Sequence, residues 1–324
     1  MKYFYYHSVF VFVLLALTTF ARAAEGDLTL EVFPPSPQPG AAFTVRAQSF
    51  AFDTAKAQFR WLVNGKETIS GAGITEQTYA LGGPGSELDI RVVAVSGNGD
   101  SFQAEATVAA NEIDLIMTAG TVVPAGYRGV TLPSSGSLVQ IDAIPHLFSN
   151  GVRQNTKNLI YTWSLDREPI LVQSGKGKSD VVIQMAQTGN AEHTVGLSVS
   201  SSDGSVVAEK TIRVKTVRPE VVVYQTSALT GKKSFTTSRM VTRPGQTVSL
   251  VAEPYFFDMR LFTKMLGLWT ADGSPITTES GQDARTLQIS IPENASPLTT
   301  LLFQWKNSAQ VFQRAESSIT IITQ

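Results

Sequence analysis

The stretch FRWLVNGKE, residues 59–67, places a tryptophan three residues before an Asn-Gly pair. Asn-Gly suits a tight hairpin turn, because both residues tolerate positive φ. The pattern returns as YTWSLDREP around Trp163 and as GLWTADGSP around Trp269. In the second copy Arg167 stands where the others have glycine, so we expect a turn of a different type there. Three copies of one motif indicate a tandem repeat.

The repeat extends on both sides of each tryptophan. A turn glycine precedes each copy, and three, five and seven residues after it the side chains are apolar: Phe43, Val45 and Ala47; Val139, Ile141 and Ala143; Val248, Leu250 and Ala252. Alternation of this kind is typical of a strand with one buried face. Each copy ends in two further alternating runs joined by a polar turn. We therefore interpret Trp61, Trp163 and Trp269 as equivalent core anchors of three all-β sandwiches.

Spacing and composition set the expected boundaries. We predict a leader over residues 1–23 and three domains over residues 24–111, 112–218 and 219–324. About 100 residues, some seven strands and a tryptophan on the third strand are the proportions of an immunoglobulin-like domain.

The units resemble the immunoglobulin-like and PKD-like β-sandwich modules that occur in tandem in exported bacterial proteins. This resemblance covers nearly all of the chain after residue 23. It implies three tandem immunoglobulin-like β-sandwich domains and a role in binding, adhesion or spacing, without implying one ligand. The Gly-Asp-Gly turn of the PKD signature is absent, so the broader immunoglobulin-like description fits better.

The amino terminus has the pattern of a secretory signal peptide. An apolar run over residues 9–20 is followed by Ala21-Arg22-Ala23, which predicts cleavage after Ala23. The alternative is an uncleaved anchor, since the apolar segment approaches the roughly 20 residues of a spanning helix. We expect an exported chain in the periplasm, at the cell surface or in the medium, with a membrane contact only if the leader is retained.

Composition excludes several classes of function. The chain has 26 basic and 27 acidic residues and no cysteine. Nucleic-acid binding needs a concentrated basic face, and thiolate zinc sites and disulfides need cysteine, so none of these is expected. The sequence offers no paired histidine and carboxylate motif of an active site. We expect His146 to be a half-buried sandwich residue and His193 a solvated loop residue. The prediction is a non-enzyme without cofactors or metal.

Two turns raise the question of calcium. Asn98 to Asp100 and Ser202 to Gly204 carry side-chain oxygens that a calcium ion accepts. Short polar residues also make good turns, and this explanation is the preferred one.

The loop over residues 258–266, DMRLFTKML, is the predicted partner-binding site. Loops on a rigid scaffold are where binding usually resides, and this one is rich in apolar residues. A helical turn with Leu261 and Met265 inward would display Arg260, Phe262 and Lys264. The preferred alternative is that the loop caps its own sandwich or packs against the second one.

Two functions follow from these patterns. The first is an exported, non-enzymatic scaffold, spacer or adhesion module that binds another envelope or surface protein. The alternative is a carbohydrate-binding surface module, with platform residues drawn from Tyr79, Tyr127, Tyr224 and Phe235 if their rings are exposed and coplanar.

Overall fold

A computed structural model describes residues 27–149, 151–227, 229, 231–233, 236, 238–277 and 283–324 of the 324-residue chain. The predicted leader, residues 1–23, lies outside the described residues. The chain divides into two compact units, with the division between Ala110 and Asn111. Three separate clusters of buried apolar side chains run through it, one in the first unit and two in the second. The three domain boundaries drawn from the repeat stay predictions.

The first unit is a sandwich of a three-stranded and a four-stranded sheet. Its strands are β1 (Thr29–Phe33), β2 (Ala42–Gln48), β3 (Gln58–Val63), β4 (Lys66–Ala72), β5 (Glu76–Ala80), β6 (Glu87–Val95) and β7 (Ser101–Ala109). The sheet orders are β1-β2-β5 and β4-β3-β6-β7. Along β2 the buried residues are the apolar ones of the alternating pattern.

The second sandwich has the same two sheets with a longer connection before its tryptophan strand. Its elements are β8 (Glu112–Ala119), β9 (Thr121–Val122), β10 (Leu138–His146), β11 (Phe148–Ser149), β12 (Val152–Arg153), η1 (Thr156–Asn158), β13 (Ile160–Leu165), β14 (Glu168–Pro169), η2 (Leu171–Gln173), β15 (Gly175–Lys176), β16 (Asp180–Gln184), β17 (Glu192–Ser200) and β18 (Val207–Lys215). The sheets are β16-β10-β8 and β14-β13-β17-β18, with β15 on β13.

The third sandwich repeats this plan within the same compact unit. Its elements are β19 (Glu220–Ser227), β20 (Gly231–Lys232), β21 (Arg239–Thr242), β22 (Thr247–Tyr255), β23 (Phe257–Asp258), η3 (Met259–Lys264), β24 (Met265–Ala271), β25 (Ser274–Pro275), β26 (Thr286–Ser290), β27 (Leu298–Asn307) and β28 (Arg314–Thr323). The sheets are β20-β19-β22-β26 and β21-β28-β27-β24-β25. The all-β fold with tandem immunoglobulin-like sandwiches is therefore confirmed.

Each motif tryptophan lies between the two sheets of its sandwich. The side chains of Trp61, Trp163 and Trp269 are buried. Each indole Nε1 donates a hydrogen bond to a main-chain carbonyl: Ile74 O at 2.8 Å, Lys178 O at 3.0 Å and Ala284 O at 3.1 Å. The polar end of a buried tryptophan needs such a partner. In each copy the accepting carbonyl lies just before the corresponding strand: β5, β16 and β26.

The hairpin turn after each tryptophan is the same in all three copies. Both central residues have positive φ: 49° and 77° at Asn64-Gly65, 51° and 75° at Asp166-Arg167, and 48° and 83° at Asp272-Gly273. The expectation of a different turn type at Arg167 was wrong. The first turn residue explains this, because its side-chain oxygen accepts a hydrogen bond from a neighbouring strand in every copy. The donors are the main-chain N–H groups of Asp89, Thr194 and Thr300, at 3.0, 2.8 and 2.8 Å.

The left-handed backbone of Arg167 gives a stability prediction. Because an L-residue with a side chain is strained at positive φ and glycine is not, Arg167→Gly is expected to stabilise the second sandwich by about 1 kcal/mol. Urea unfolding of the variant and of the parent measures this difference. Gly65→Ala, which adds the same strain at the equivalent position, is expected to lower stability by a similar amount. A destabilised Arg167→Gly variant would contradict the prediction.

Candidate functional site

The predicted partner-binding loop begins with a two-residue strand and a helical turn. β23 turns directly into the 3₁₀ helix η3, and the Asp258 side chain accepts a hydrogen bond from the Arg260 N–H at 3.0 Å. This is an N-cap, in which a carboxylate satisfies an N–H that has no helical partner. Met265 is buried and Leu261 half-buried, as the amphipathic pattern predicts. The helical turn expected from the sequence is therefore present.

The start of this loop is joined to the second sandwich through its main chain. β23 pairs antiparallel with β9, with Phe257 opposite Val122 and Asp258 opposite Thr121. The N–H of Phe256 donates to Val122 O at 2.7 Å, and that of Met259 donates to Gly120 O at 3.0 Å. Two sandwiches of one compact unit thus share a short piece of sheet.

Phe256 adopts an unusual backbone conformation at this join. Its φ is 63°, in the left-handed region that bulky residues avoid. Such a conformation costs on the order of 1–3 kcal/mol and persists only where surrounding contacts fix it. The main-chain pairing of β9 with β23 supplies these contacts.

Arg260 reaches across the same join. Its guanidinium forms an ion pair with Asp258 at 2.7 Å and donates a hydrogen bond to Gly136 O of the second sandwich. The Asp258 side chain is only 2% exposed. The hydrogen bond to Asp258 raises the pKa of Arg260 above its ordinary value. Arg260, predicted as a displayed residue, is therefore committed to an interdomain contact, although part of its side chain remains exposed.

Gln313 completes the polar contact between the two sandwiches. It is 0% exposed, and its amide Nε2 donates to Ser134 Oγ at 2.9 Å and to Ser135 O at 2.7 Å. Its Oε1 accepts the N–H of Asp258 at 2.9 Å. One buried amide thus satisfies groups on both sandwiches, so its loss would leave several polar groups without partners.

The remaining two predicted residues differ in exposure. Phe262 is half-buried, its ring centroid lies 5.8 Å from that of Trp305, and it contacts the core of the third sandwich. The expectation that Phe262 is displayed was therefore wrong, because its ring packs against Trp305 and the core of the third sandwich. Lys264 is exposed, as predicted. Two apolar neighbours, Met259 and Leu266, are also exposed.

Both histidines of the described chain are paired with a carboxylate. His146 is half-buried, as predicted, with Nε2 at 3.1 Å from Asp114. His193 was expected to be solvated, but its side chain is 17% exposed, and its Nδ1 lies 2.7 Å from Asp166. His193 is shielded from solvent because it belongs to β17 and not to the preceding loop. The hydrogen bond from the Thr194 N–H, and to a lesser degree the one with His193, lowers the pKa of Asp166.

The aromatic residues proposed as a sugar platform do not form one. Tyr79 packs against Phe43 and Trp61 at the core of the first sandwich. Tyr127 meets Tyr255 and Phe256 edge-on, at interplanar angles of 76° and 78°.

Tyr224 and Phe235, the other two candidates, do not support a sugar platform either. The Tyr224 hydroxyl is hydrogen-bonded to that of Tyr255 at 2.9 Å, and burial raises the pKa of Tyr255. Phe235 lies outside the described residues. Among the candidates that the structure describes, no two exposed rings are coplanar.

The polar turn at Ser202 to Gly204 is built by its own hydrogen bonds. The Asp203 carboxylate accepts hydrogen bonds from the Ser201 hydroxyl, the Ser205 N–H and the Ser205 hydroxyl. In the part of the chain that the structure describes, no three histidine or acidic residues group into a metal site. Turn formation, the explanation preferred from the sequence, accounts for the oxygens at Asp203.

Asp203 gives a pH prediction. Its hydrogen bonds, the one from Ser201 above all, lower its pKa to about 2. Because the folded-state pKa lies below the unfolded one, the stabilisation of the turn is complete above about pH 4 and is lost as pH falls toward 2. A carbon-detected NMR titration of the carboxyl groups measures this pKa directly. Ser201→Ala is expected to raise it, whereas titration of the parent near 3.9 would contradict the assignment.

Packing of the loop over residues 258–266 against the second sandwich was part of the preferred alternative, but the individual contacts were not foreseen from the sequence. Ser134 and Gln313 belong to no repeated motif, and Gly136, the turn glycine of the second repeat, contributes only its main-chain carbonyl, as does Ser135. A carbonyl has no sequence signal, because every residue carries one. Only the excess of apolar residues in the loop over residues 258–266 indicated that this segment needed burial or a partner.

Comparison with known proteins adds similarities of fold. No family model matches the chain, and no curated protein matches it. Three solved structures illustrate the resemblance. The three N-terminal domains of the bacteriophage RB49 Highly Immunogenic Outer Capsid protein are 15% identical, with 92% of this chain and 98% of that one covered and a TM-score of 0.25.

The other two structures are comparable. SGBP-B of the Bacteroides ovatus mixed-linkage glucan utilization locus, solved in complex with a mixed-linkage heptasaccharide, is 11% identical, with 91% of this chain and 70% of that one covered and a TM-score of 0.22. Extracellular domains 3–5 of Drosophila OTK are 12% identical, with 93% and 99% covered and a TM-score of 0.22. At these identities the similarity concerns the fold alone. Among the described residues there is no helix with the length and apolar character that a membrane span requires.

Proposed function

We propose that the chain is an exported, non-enzymatic array of immunoglobulin-like sandwiches that binds another envelope or surface protein and acts there as a scaffold or spacer. Its place would be the periplasm, the cell surface or the medium. No nucleic acid and no cofactor enter this proposal. A carbohydrate ligand is the weaker alternative, since Tyr79 and Tyr224 are half-buried and the exposed Tyr127 contacts its aromatic neighbours edge-on.

The observation that carries the proposal is the polar join between the second and third sandwiches. Adjacent domains usually move relative to one another unless their interface is extensive. Here main-chain pairing of β9 with β23, the Asp258–Arg260 ion pair and the buried Gln313 amide fix them together. A protein that touches both sandwiches then loses little entropy in ordering them, which favours binding. Fixed spacing of two modules is what a scaffold requires.

The loop over residues 258–266 is the proposed contact with that partner. Arg260 and Phe262 would hold the loop in place through Gly136 O and Trp305. Lys264, Met259 and Leu266 would meet the partner, since all three are exposed. Methionine is enriched at protein interfaces, and their rim is polar, which is where Lys264 would lie.

Crosslinking in intact cells tests the proposal. The chain would carry an affinity tag after Gln324 and a photo-reactive amino acid in place of Leu266, with the same amino acid at Val207, which is exposed on the second sandwich, as the matched control. One protein crosslinked reproducibly from Leu266 and not from Val207 is expected. Capture of glycan, or of no protein above the control, would reject protein binding. The amino-terminal peptide of the captured chain would show whether residues 1–23 are removed.

A further inference from the structure

A cleft of about 670 Å³ lies between the second and third sandwiches, within residues 111–324. The linker over residues 216–219 and two loops of the second sandwich, at Ser135 and at residues 188–190, line one side of it. Strands β27 and β28 and the loop between them line the other. Its walls are both charged and apolar: Arg218, Lys306, Arg314, Glu316, Val311 and Phe312. Val311 is 64% and Phe312 42% exposed. A partly apolar concave surface with a few convergent polar groups is the usual form of a binding site.

The charges in this cleft are unbalanced. Among the described residues that line it, the charged ones are Arg218, Lys306, Arg314 and Glu316, three positive and one negative. Glu316 accepts a hydrogen bond from Gln304 at 3.2 Å. In the described part of the chain, no ion pair or side-chain hydrogen bond engages any of the three cations. An anionic ligand would supply the missing counter-charge.

The two cations on the sheet are direct cross-strand neighbours. Lys306 on β27 is paired with Arg314 on β28. Like charges directly opposite one another destabilise a sheet. A pair of this kind carries a cost in the free chain that a carboxylate placed between them would relieve. The local arrangement thus favours an occupant with acidic groups.

Along part of β28, the main-chain groups on the side away from β27 have no strand partner among the described residues. β21 pairs with β28 only from Thr320 onward, where the Thr320 N–H donates to Ser238 O. On the other side of the strand, Gln313 O accepts from the Asn307 N–H. Since main-chain groups alternate along a strand, those of Glu316 and Ser318 face the same side as Thr320. Within the described residues, no strand pairs with them there.

We propose that this cleft binds an extended acidic segment of a protein partner, which adds as a strand to the edge of β28 at residues 314–318. Its carboxylates would lie against Lys306 and Arg314, and an apolar side chain would contact Phe312. A peptide matches all three features, because it carries main-chain donors and acceptors, carboxylates and apolar side chains on one chain. A small anion would use only the cations. This inference rests on the proposed function, since it names the chemistry of the protein partner.

Panning a phage-displayed library of random linear 12-residue peptides against the immobilised full chain tests the inference. The enriched peptides are expected to combine acidic residues with an apolar one. Fluorescence anisotropy then measures the affinity of the best peptide for the parent and for two double variants. Lys306→Glu with Arg314→Glu is expected to weaken binding at least about tenfold, since it reverses the charges that a carboxylate meets. Lys176→Glu with Arg213→Glu makes the same charge change at exposed positions outside the cleft and is expected to bind as the parent does.

Hydrogen exchange measures main-chain protection, which a purely electrostatic contact with the side chains would not change. Amides over residues 314–318 are expected to become protected when the peptide binds. The milder pair Lys306→Ser with Arg314→Ser serves if the reversed variant does not fold, and it is expected to weaken binding too. Unchanged affinity in a folded cleft variant, absence of new protection on β28, enrichment of peptides without acidic residues, or no enrichment at all would overturn the inference.

The cell experiment separates this inference from the proposed function. A photo-reactive amino acid at Val311 is expected to crosslink to an acidic segment of the protein captured from Leu266. If Leu266 captures a protein and Val311 does not, the cleft assignment fails while protein binding stands. A crosslink from Val311 to a second copy of this chain would likewise overturn the inference, because the occupant would then be the chain itself. If neither position captures a protein, protein binding itself fails.

Discussion

Trp269→Ala is expected to destabilise the third sandwich by about 3–5 kcal/mol, the usual cost of deleting a buried aromatic side chain. The indole is 1% exposed, and its ring centroid lies 4.7 Å from that of Phe303. Its removal leaves a cavity between the sheets and takes the donor from Ala284 O. An alanine cannot fill this space, and the surrounding strands can close it only in part.

Urea unfolding followed by hydrogen exchange measures this loss, because exchange reports on each sandwich separately. Leu268→Ala is the matched control, since Leu268 is the neighbouring residue of β24 and is 38% exposed on the opposite face. Its expected cost is below about 1 kcal/mol, as is usual for an exposed position. Unchanged unfolding of the Trp269→Ala variant would refute the role of this tryptophan as a core anchor.

Gln313→Ala is expected to weaken the coupling between the second and third sandwiches by about 3 kcal/mol. The substitution leaves the Asp258 N–H and Ser135 O without their hydrogen-bond partner in a buried site. Each unsatisfied buried group costs about 1–3 kcal/mol. The cores of the two sandwiches are untouched, so each is expected to keep its own fold.

Calorimetry of the full chain distinguishes coupling from folding. In the parent, the second and third sandwiches are expected to unfold together, and in the variant they are expected to separate into two transitions. Gln310→Ala removes the same side chain from the same loop, and no hydrogen bond of the Gln310 side chain is recorded among the described residues, so this control should keep the parent profile. Coincident transitions in the Gln313→Ala variant would mean that the amide does not couple the sandwiches.

Much of the fold could be predicted from the sequence because its signals are local. A tryptophan before a turn, an alternating apolar pattern and an Asn-Gly pair each predict their local structure from a few neighbouring residues. The turn at Arg167 shows the limit of such reasoning. Propensity opposes positive φ at arginine, but the Asp166 side chain binds the Thr194 N–H 28 residues away and imposes the turn. A tertiary hydrogen bond overrode a local preference.

The candidate site was less predictable, because its decisive contacts are distant in sequence. Arg260 donates a hydrogen bond to Gly136 O, 124 residues away in the sequence, and the pairing of β9 with β23 uses main-chain groups. His193 was misplaced for a related reason: its polar neighbours suggested a loop, whereas pairing with Val214 makes it part of a strand. Side-chain composition indicated that the loop over residues 258–266 needed a partner, but the geometry was required to show that the second sandwich supplies part of it.

The β9–β23 pair also alters how the molecule would carry mechanical load. Without contacts between the sandwiches, tension applied at the two ends of residues 111–324 would be borne by the short covalent connection around Val217 alone. With β23 paired to β9, and with the Phe256 and Met259 N–H groups bonded to Val122 O and Gly120 O, part of that tension passes through a non-covalent bridge. The two sandwiches would then resist stretching as one element and extend in a single step, a property suited to a tether that must hold its length while the surfaces it connects are pulled apart.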